Sequence, residues 1–381
     1  MEKGASSIGG GVKRLFSVDL LRGLDIFFLT AVNYSGFFAA WKKAWPFHET
    51  GERLWTHALT AFETPGHPST GFGIVDFTQP LFIFITGVSA ALAMSRFITP
   101  ERTDYAGFFK RLLKRVAMLW AIGSLIRGVQ SFQLFTGSQP SFVFYSDTLH
   151  TIAVAYGAAS LGLLLGNRIA RLALGTALVA GMAVVMACCG DYSRTGNAAR
   201  IFEDMVYGAL GGKGKDFCYL LTTFTWCGMG ILASLVGDVL KSGLANWSKA
   251  KVLAAAGTIS LALGWTLWLW IPPIRFIYTA SFVFMTLGAS TLILDGLYVL
   301  TDILGFRKGT WLFVLYGQCS LAAWVLINLF NGMLPTAAKR FTTGVHVFFG
   351  TELYTPFFTW AVQAVMLTWM LWQWRRLRSL K

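Results

Sequence analysis

The chain has 381 residues, of which 55% are hydrophobic, 15% aromatic and only 13% charged, with a mean hydropathy of +0.57. A soluble domain carries roughly a quarter charged residues, so this composition excludes a disordered chain, a small disulfide scaffold and an ordinary soluble enzyme. What remains is an all-α, polytopic integral-membrane protein, in which the net charge of +14 reports topology and not a nucleic-acid partner.

Residues 1–16 are rich in Gly and Ser and read as a cytoplasmic tail. A cleaved signal is not expected, because Arg22 and Asp25 interrupt the apolar stretch that follows. A span needs roughly 20 apolar residues, which predicts a bundle of about ten transmembrane helices (ten or eleven). They fall at about 18–40, 76–95, 116–133, 147–165, 172–189, 217–238, 252–271, 277–300, 310–329 and 356–374. Polar loops are expected at 41–73, 190–216 and 331–355. No internal repeat is evident, and residues 1–381 read as one transmembrane domain.

With ten spans, the segments on the side of the N-terminus hold 20 of the 32 Lys and Arg. That bias places both termini in the cytoplasm and the three polar loops outside. The run Trp372-Gln373-Trp374-Arg375-Arg376 closes the last span as an interfacial belt and a basic anchor. Five cysteines (Cys188, Cys189, Cys218, Cys227 and Cys319) have no metal-binding spacing, and no metal is expected. Cys188 or Cys189 can bridge to Cys218 on an oxidising face, or all three can serve helix packing.

Ionisable groups inside a span are costly and mark candidate sites. Asp19, Arg22 and Asp25 follow one another at spacings of three and share a helical face. They form either a self-neutralising ion network or a cationic Arg22 at the cytoplasmic mouth, suited to a phosphate ligand. Asn33 lies about two turns beyond Asp25. A single Asn in a span ordinarily hydrogen-bonds between helices. The segment Thr64-Pro65-Gly66-His67-Pro68-Ser69-Thr70-Gly71-Phe72-Gly73-Ile74-Val75-Asp76 should stay irregular to about Gly73, with a helix opening near Asp76. An anion there favours the helix N-terminus, where Asp76 can cap the helix and orient an imidazole. His57, in the same outer loop, and His150, in the fourth span, compete with His67. Arg96, Lys110, Arg111, Lys114 and Arg115 flank the loop between spans two and three, either as topology signals or as phosphate contacts. Trp41, Trp45 and Trp55 suit a sugar ring or an interfacial belt.

Several stretches then combine. Val18-Asp19-Leu20-Leu21-Arg22-Gly23-Leu24-Asp25, Val32-Asn33-Tyr34-Ser35-Gly36, a His before Asp76, and Gln79-Pro80-Leu81-Phe82-Ile83-Phe84-Ile85-Thr86-Gly87 occur in the order that resembles the heparan-α-glucosaminide N-acetyltransferase family. The likeness is to bacterial transmembrane acyltransferases without a lumenal domain. Pro272-Pro273-Ile274-Arg275-Phe276-Ile277-Tyr278-Thr279 and Tyr316-Gly317-Gln318-Cys319-Ser320-Leu321 resemble later family stretches. Arg275 stands for a Lys of the family pattern, and Gln318 for an Asn. The family's Trp after the His is missing, and the loop before Asp76 is long.

The resemblance implies transfer of an acetyl group from cytoplasmic acetyl-CoA to an amino sugar or glycan outside, in a bacterial inner membrane. It implies catalytic roles for His67, Asn33 and Asp76. Arg22, Arg111 and Arg115 are the candidates for the donor's phosphates, and Asp25, Arg275 and Trp45 for the acceptor. A histidine can act as base or as transient acetyl carrier, and Asn33 can donate to the oxyanion. A homodimer stays open. The competing readings are a sugar or amino-sugar transporter without acyl chemistry, and a structural membrane protein.

Overall fold

A computed structural model describes residues 15–33, 74–99, 103–133, 147–209, 218–330, 333–349 and 355–379. Among these, every regular element is helical apart from one β-bridge between Ile98 and Thr103. The helices are α1 (Phe16–Phe27), α2 (Ile74–Met94), α3 (Tyr105–Gln133), α4 (Thr148–Leu163), α5 (Arg168–Cys189), α6 (Ala198–Ala209) and α7 (Thr223–Lys241). They continue with α8 (Asn246–Leu267), α9 (Ala280–Tyr298), α10 (Trp311–Gln318), α11 (Ser320–Leu329), α12 (Met333–Phe349) and α13 (Thr355–Ser379). Five helices are long and apolar enough to cross a membrane, or six if α10 and α11, bent by 78° at Cys319, form one broken span. The remaining apolar stretches fall on helices that are shorter, such as α4, or that carry cations at one end, such as α3 and α13.

Two polar loops read from the sequence contain helices instead. In 190–216, Asp191 accepts hydrogen bonds from the backbone N–H and hydroxyl of Ser193, and these bonds hold its carboxyl below the usual carboxylate range. This turn leads into α6, whose Glu203 accepts from the backbone of Leu220. In 331–355, α12 is amphipathic and packs on α13 through a Thr342–Thr359 hydroxyl pair 2.9 Å apart. Both were hidden by their charge, which an amphipathic helix keeps on one face. The loop 41–73 lies outside the described residues. All five cysteines are free: Cys188 and Cys189 are exposed on α5 while Cys218 is buried, so the bridge considered for them is not formed.

α7 organises the bundle, packing against α2, α4 and α5. Hydrocarbon gives helices little hydrophobic reason to associate, so close backbone approach through small residues does this work. Three glycines of α7 admit three neighbours. A Cβ on Gly228 would sit 2.7 Å from the Gly175 carbonyl oxygen of α5, one on Gly230 2.7 Å from that of Ala155 in α4, and one on Gly237 2.7 Å from that of Val88 in α2.

α1 and α10 meet in the same way: a Cβ on Gly23 would overlap the Phe313 carbonyl, and one on Gly317 the Asp19 carbonyl. The first backbone N–H groups of α1 are capped from a distance, since Phe16 and Ser17 donate to the Asp302 carboxylate at 3.3 and 2.9 Å. Both ends of this packing face backbone, which cannot rotate away. Gly23→Ala should therefore destabilise the protein by about 1–3 kcal/mol, read as a lower unfolding midpoint in detergent. An unchanged midpoint would contradict the α1–α10 contact.

Candidate functional site

The first site is a cavity of about 370 Å³ between α1, α2, α3, α4 and α11. One end is cationic. Arg22 reaches it from α1, and Arg111, Lys114 and Arg115 from α3. Spans expected at 76–95 and 116–133 leave these cations between two helices; instead, α3 begins at Tyr105 and carries Arg111, Lys114 and Arg115 on its first turns. Helical spacing then puts Arg111 and Arg115 one above the other on a single face. Arg22 donates to Asp19 at 3.2 Å and to Ser89 of α2 at 2.7 Å, which fixes its fork toward the cavity wall. The Arg115 guanidinium stacks 4.5 Å from the centre of the Tyr156 ring. The other end is apolar, lined by Ile26, Phe82, Leu119, Leu149, Ile152 and Trp324. Such a cavity suits an elongated molecule with anionic groups at one end and a less polar arm at the other.

The anticipated network of Asp19, Arg22 and Asp25 forms only in half. Arg22 pairs with Asp19, while Asp25 is buried and both its carboxylate oxygens have no hydrogen-bond partner among the described residues. Asp25 does not line the cationic cavity. The second arm of Arg22 is taken by Ser89, which explains why three residues on one face do not close a triad.

The second cluster lies at the other end of α2. Asp76 sits in the first turn, fully buried, with the Arg275 guanidinium 3.6 Å away. Arg275 is held there by the irregular link between α8 and α9. In that link the Thr279 hydroxyl donates to the Pro272 carbonyl at 2.7 Å and accepts from the Ile274 N–H at 3.0 Å. One turn along α2, the Gln79 amide donates to Thr151 at 3.5 Å and approaches the Cys218 sulfur at 3.8 Å. Pro80 has no N–H to give to the Asp76 carbonyl, so the helical i to i−4 hydrogen bond is missing at this turn. Cys218 and Tyr278 hold positive φ angles of 60° and 47°. Such strain in bulky residues persists only where the surroundings enforce it, and it gathers at functional sites.

Gln79, Thr151, Cys218 and Tyr278 were not singled out as site residues from the sequence. Gln79 carried a usable signal, being polar inside a span. Tyr278 and Cys218 carried none, because left-handed backbone cannot be read from those residue types. His150 is used structurally. Its Nδ1 accepts from the Asp147 N–H at 3.1 Å to complete the cap of α4, and its Nε2 lies 3.1 Å from the Ser124 hydroxyl. Asn33 closes a π-helical turn that continues α1, Phe28–Asn33. The Asn33 side chain, His67, His57 and Trp45 lie outside the described residues.

α2 links the two clusters. Ser89 and Asp76 are thirteen residues apart on it, about 20 Å, and the cavity occupies the half of that distance nearer Ser89. No group of three or more metal-ligating side chains occurs among the described residues. No protein-family model matches the chain, and no curated protein matches it.

Proposed function

We propose that this protein is a transmembrane acetyltransferase that moves an acetyl group from cytoplasmic acetyl-CoA to an amino sugar or glycan on the opposite face. The observation that carries the reading is the cavity with Arg22, Arg111, Lys114 and Arg115 at one end and an apolar slot running toward the Asp76–Arg275 cluster. A CoA thioester has the matching polarity: phosphates at one end, and an uncharged arm carrying the acyl group at the other. The family resemblance of the α1 and α2 stretches points to the same chemistry.

In the proposed step, a neutral amine attacks the thioester carbonyl. A C–N bond forms and the C–S bond breaks. The amine proton passes to a histidine base, for which His67 is the first candidate, and the thiolate leaves to be protonated. A histidine with an ordinary pKa near 6.5 suits this proton transfer at neutral pH. Asn33 donates to the oxyanion, and the Asp76–Arg275 pair orders the acceptor end.

The experiment is acetyl-CoA turnover by purified protein against a panel of amino sugars, with His67→Ala and His57→Ala beside the wild type. The expected result is acetylation by wild type and a loss of about 10²–10⁴-fold in one histidine variant. If His57→Ala is the inactive one, the reaction stands and the base is His57. Absence of turnover with every acceptor, together with uptake of unmodified labelled sugar, would replace the proposal with transport.

A further inference from the structure

A second cavity, of about 310 Å³, opens between α5 and α8, with α7 and α9 as its floor. Leu172, Leu232, Val236, Leu253, Leu263 and Phe284 set its apolar character. Two of its three polar lining residues are already engaged: the Ser260 hydroxyl donates to the Phe284 carbonyl at 2.9 Å, and the Thr291 hydroxyl to that of Leu287 at 2.8 Å, which leaves the Thr176 hydroxyl as the one polar group not so engaged among the described lining residues. A polar molecule would therefore lose its water here and regain little of it in hydrogen bonds. α5 and α8 are the least buried of the apolar helices, with 22% of each span covered, so the groove opens toward the lipid.

Two further observations name the occupant. Along α8 the groove runs from Leu253 to Leu263, ten residues or about 15 Å, half of a hydrocarbon core roughly 30 Å thick. That is the depth of one leaflet. At the end marked by Leu172 and Val239 stands a charge cluster in which Arg168, Arg171 and Lys241 surround the single carboxylate of Asp238. Asp238 neutralises one cation, and the cluster keeps an excess of two positive charges. Arg168, with 65% of its side chain exposed, and Lys241, with 24%, can reach a ligand.

We propose that this groove binds one anionic phospholipid, an acyl chain lying along α8 and the phosphate held by Arg168 and Lys241. The proposal is independent of the acetyltransferase reading, since none of these residues lines the cationic cavity.

The test is native mass spectrometry of the full-length protein, delipidated and then exposed to phosphatidylglycerol or phosphatidylcholine in mixed micelles. One phosphatidylglycerol should be retained in preference to phosphatidylcholine. Arg168→Gln should lower that preference about fivefold, as expected for one interfacial cation. Ala256→Trp, which fills the groove, should abolish retention while leaving the unfolding midpoint in detergent intact. Equal retention of both lipids, or undiminished binding by Ala256→Trp, would overturn the proposal. So would conversion of a dimer to a monomer by Ala256→Trp, which would make a second copy of the chain the occupant.

Discussion

Asp238→Ala is expected to destabilise the protein by roughly 3–5 kcal/mol, the largest stability effect of any single side chain described here. Asp238 is 2% exposed and bonds directly to the Arg171 guanidinium, which is itself buried. Lys241 approaches the other carboxylate oxygen at 2.9 Å, and Ser234 accepts from Arg171 at 3.2 Å. Removing the carboxylate strands a buried guanidinium among apolar helices, and Arg cannot escape by losing its proton.

The size of the loss comes from the orphaned cation and not from the net value of the pair, since paired charges in a low-dielectric interior also carry desolvation costs. Two measurements separate these contributions. Asp238→Ala alone should drop the unfolding midpoint in detergent steeply. The double variant Arg171→Leu with Asp238→Leu should recover most of it. If the double variant is as unstable as the single, the cluster holds α5 and α7 together by its attraction, and the orphaned-charge account fails.

How legible this was in the sequence differs by element. The apolar stretches announced their helices because length and hydropathy suffice in a membrane. The same criterion hid α6 and α12, whose charge resembles that of a loop. Arg22, Arg111 and Arg115 were readable as cations near one face, but their convergence required α3 to begin at Tyr105, about ten residues before its apolar stretch. Asp76 and Arg275 were each readable as an isolated charge. Their pairing was not, because nearly two hundred residues separate them and only the packing of α2 beside the α8–α9 link joins them. The Arg171–Asp238 pair was missed for a related reason: both residues sit near helix ends, where charge is ordinary, and burial arises only when α5 and α7 meet across Gly175 and Gly228.

Arg275→Ala and Arg111→Ala should damage acetyl transfer in two different ways. Arg275 pairs with Asp76, on the side of α2 proposed to receive the acceptor, and acts through that carboxylate as a positioning residue. Under the proposed function its loss removes a charge that orders the reacting groups, so kcat should fall by about 10²-fold or more, with KM for acetyl-CoA unchanged. Arg275→Lys keeps the charge and fits the family pattern that these stretches resemble, and it should retain most of the turnover. Arg111 stands at the cationic end of the cavity, and under the proposed function it would bind the donor equally in the ground and transition states. Its loss should raise KM for acetyl-CoA roughly tenfold or more, as for a lost charged hydrogen bond, with kcat nearly intact. The split follows from the two clusters lying about 20 Å apart along α2. If both variants change the same parameter, or if Arg275→Lys is as impaired as Arg275→Ala, the donor and acceptor ends are not arranged as proposed. Loss of folded protein in Arg275→Ala would be told apart by its unfolding midpoint, which Arg275→Lys should restore together with kcat.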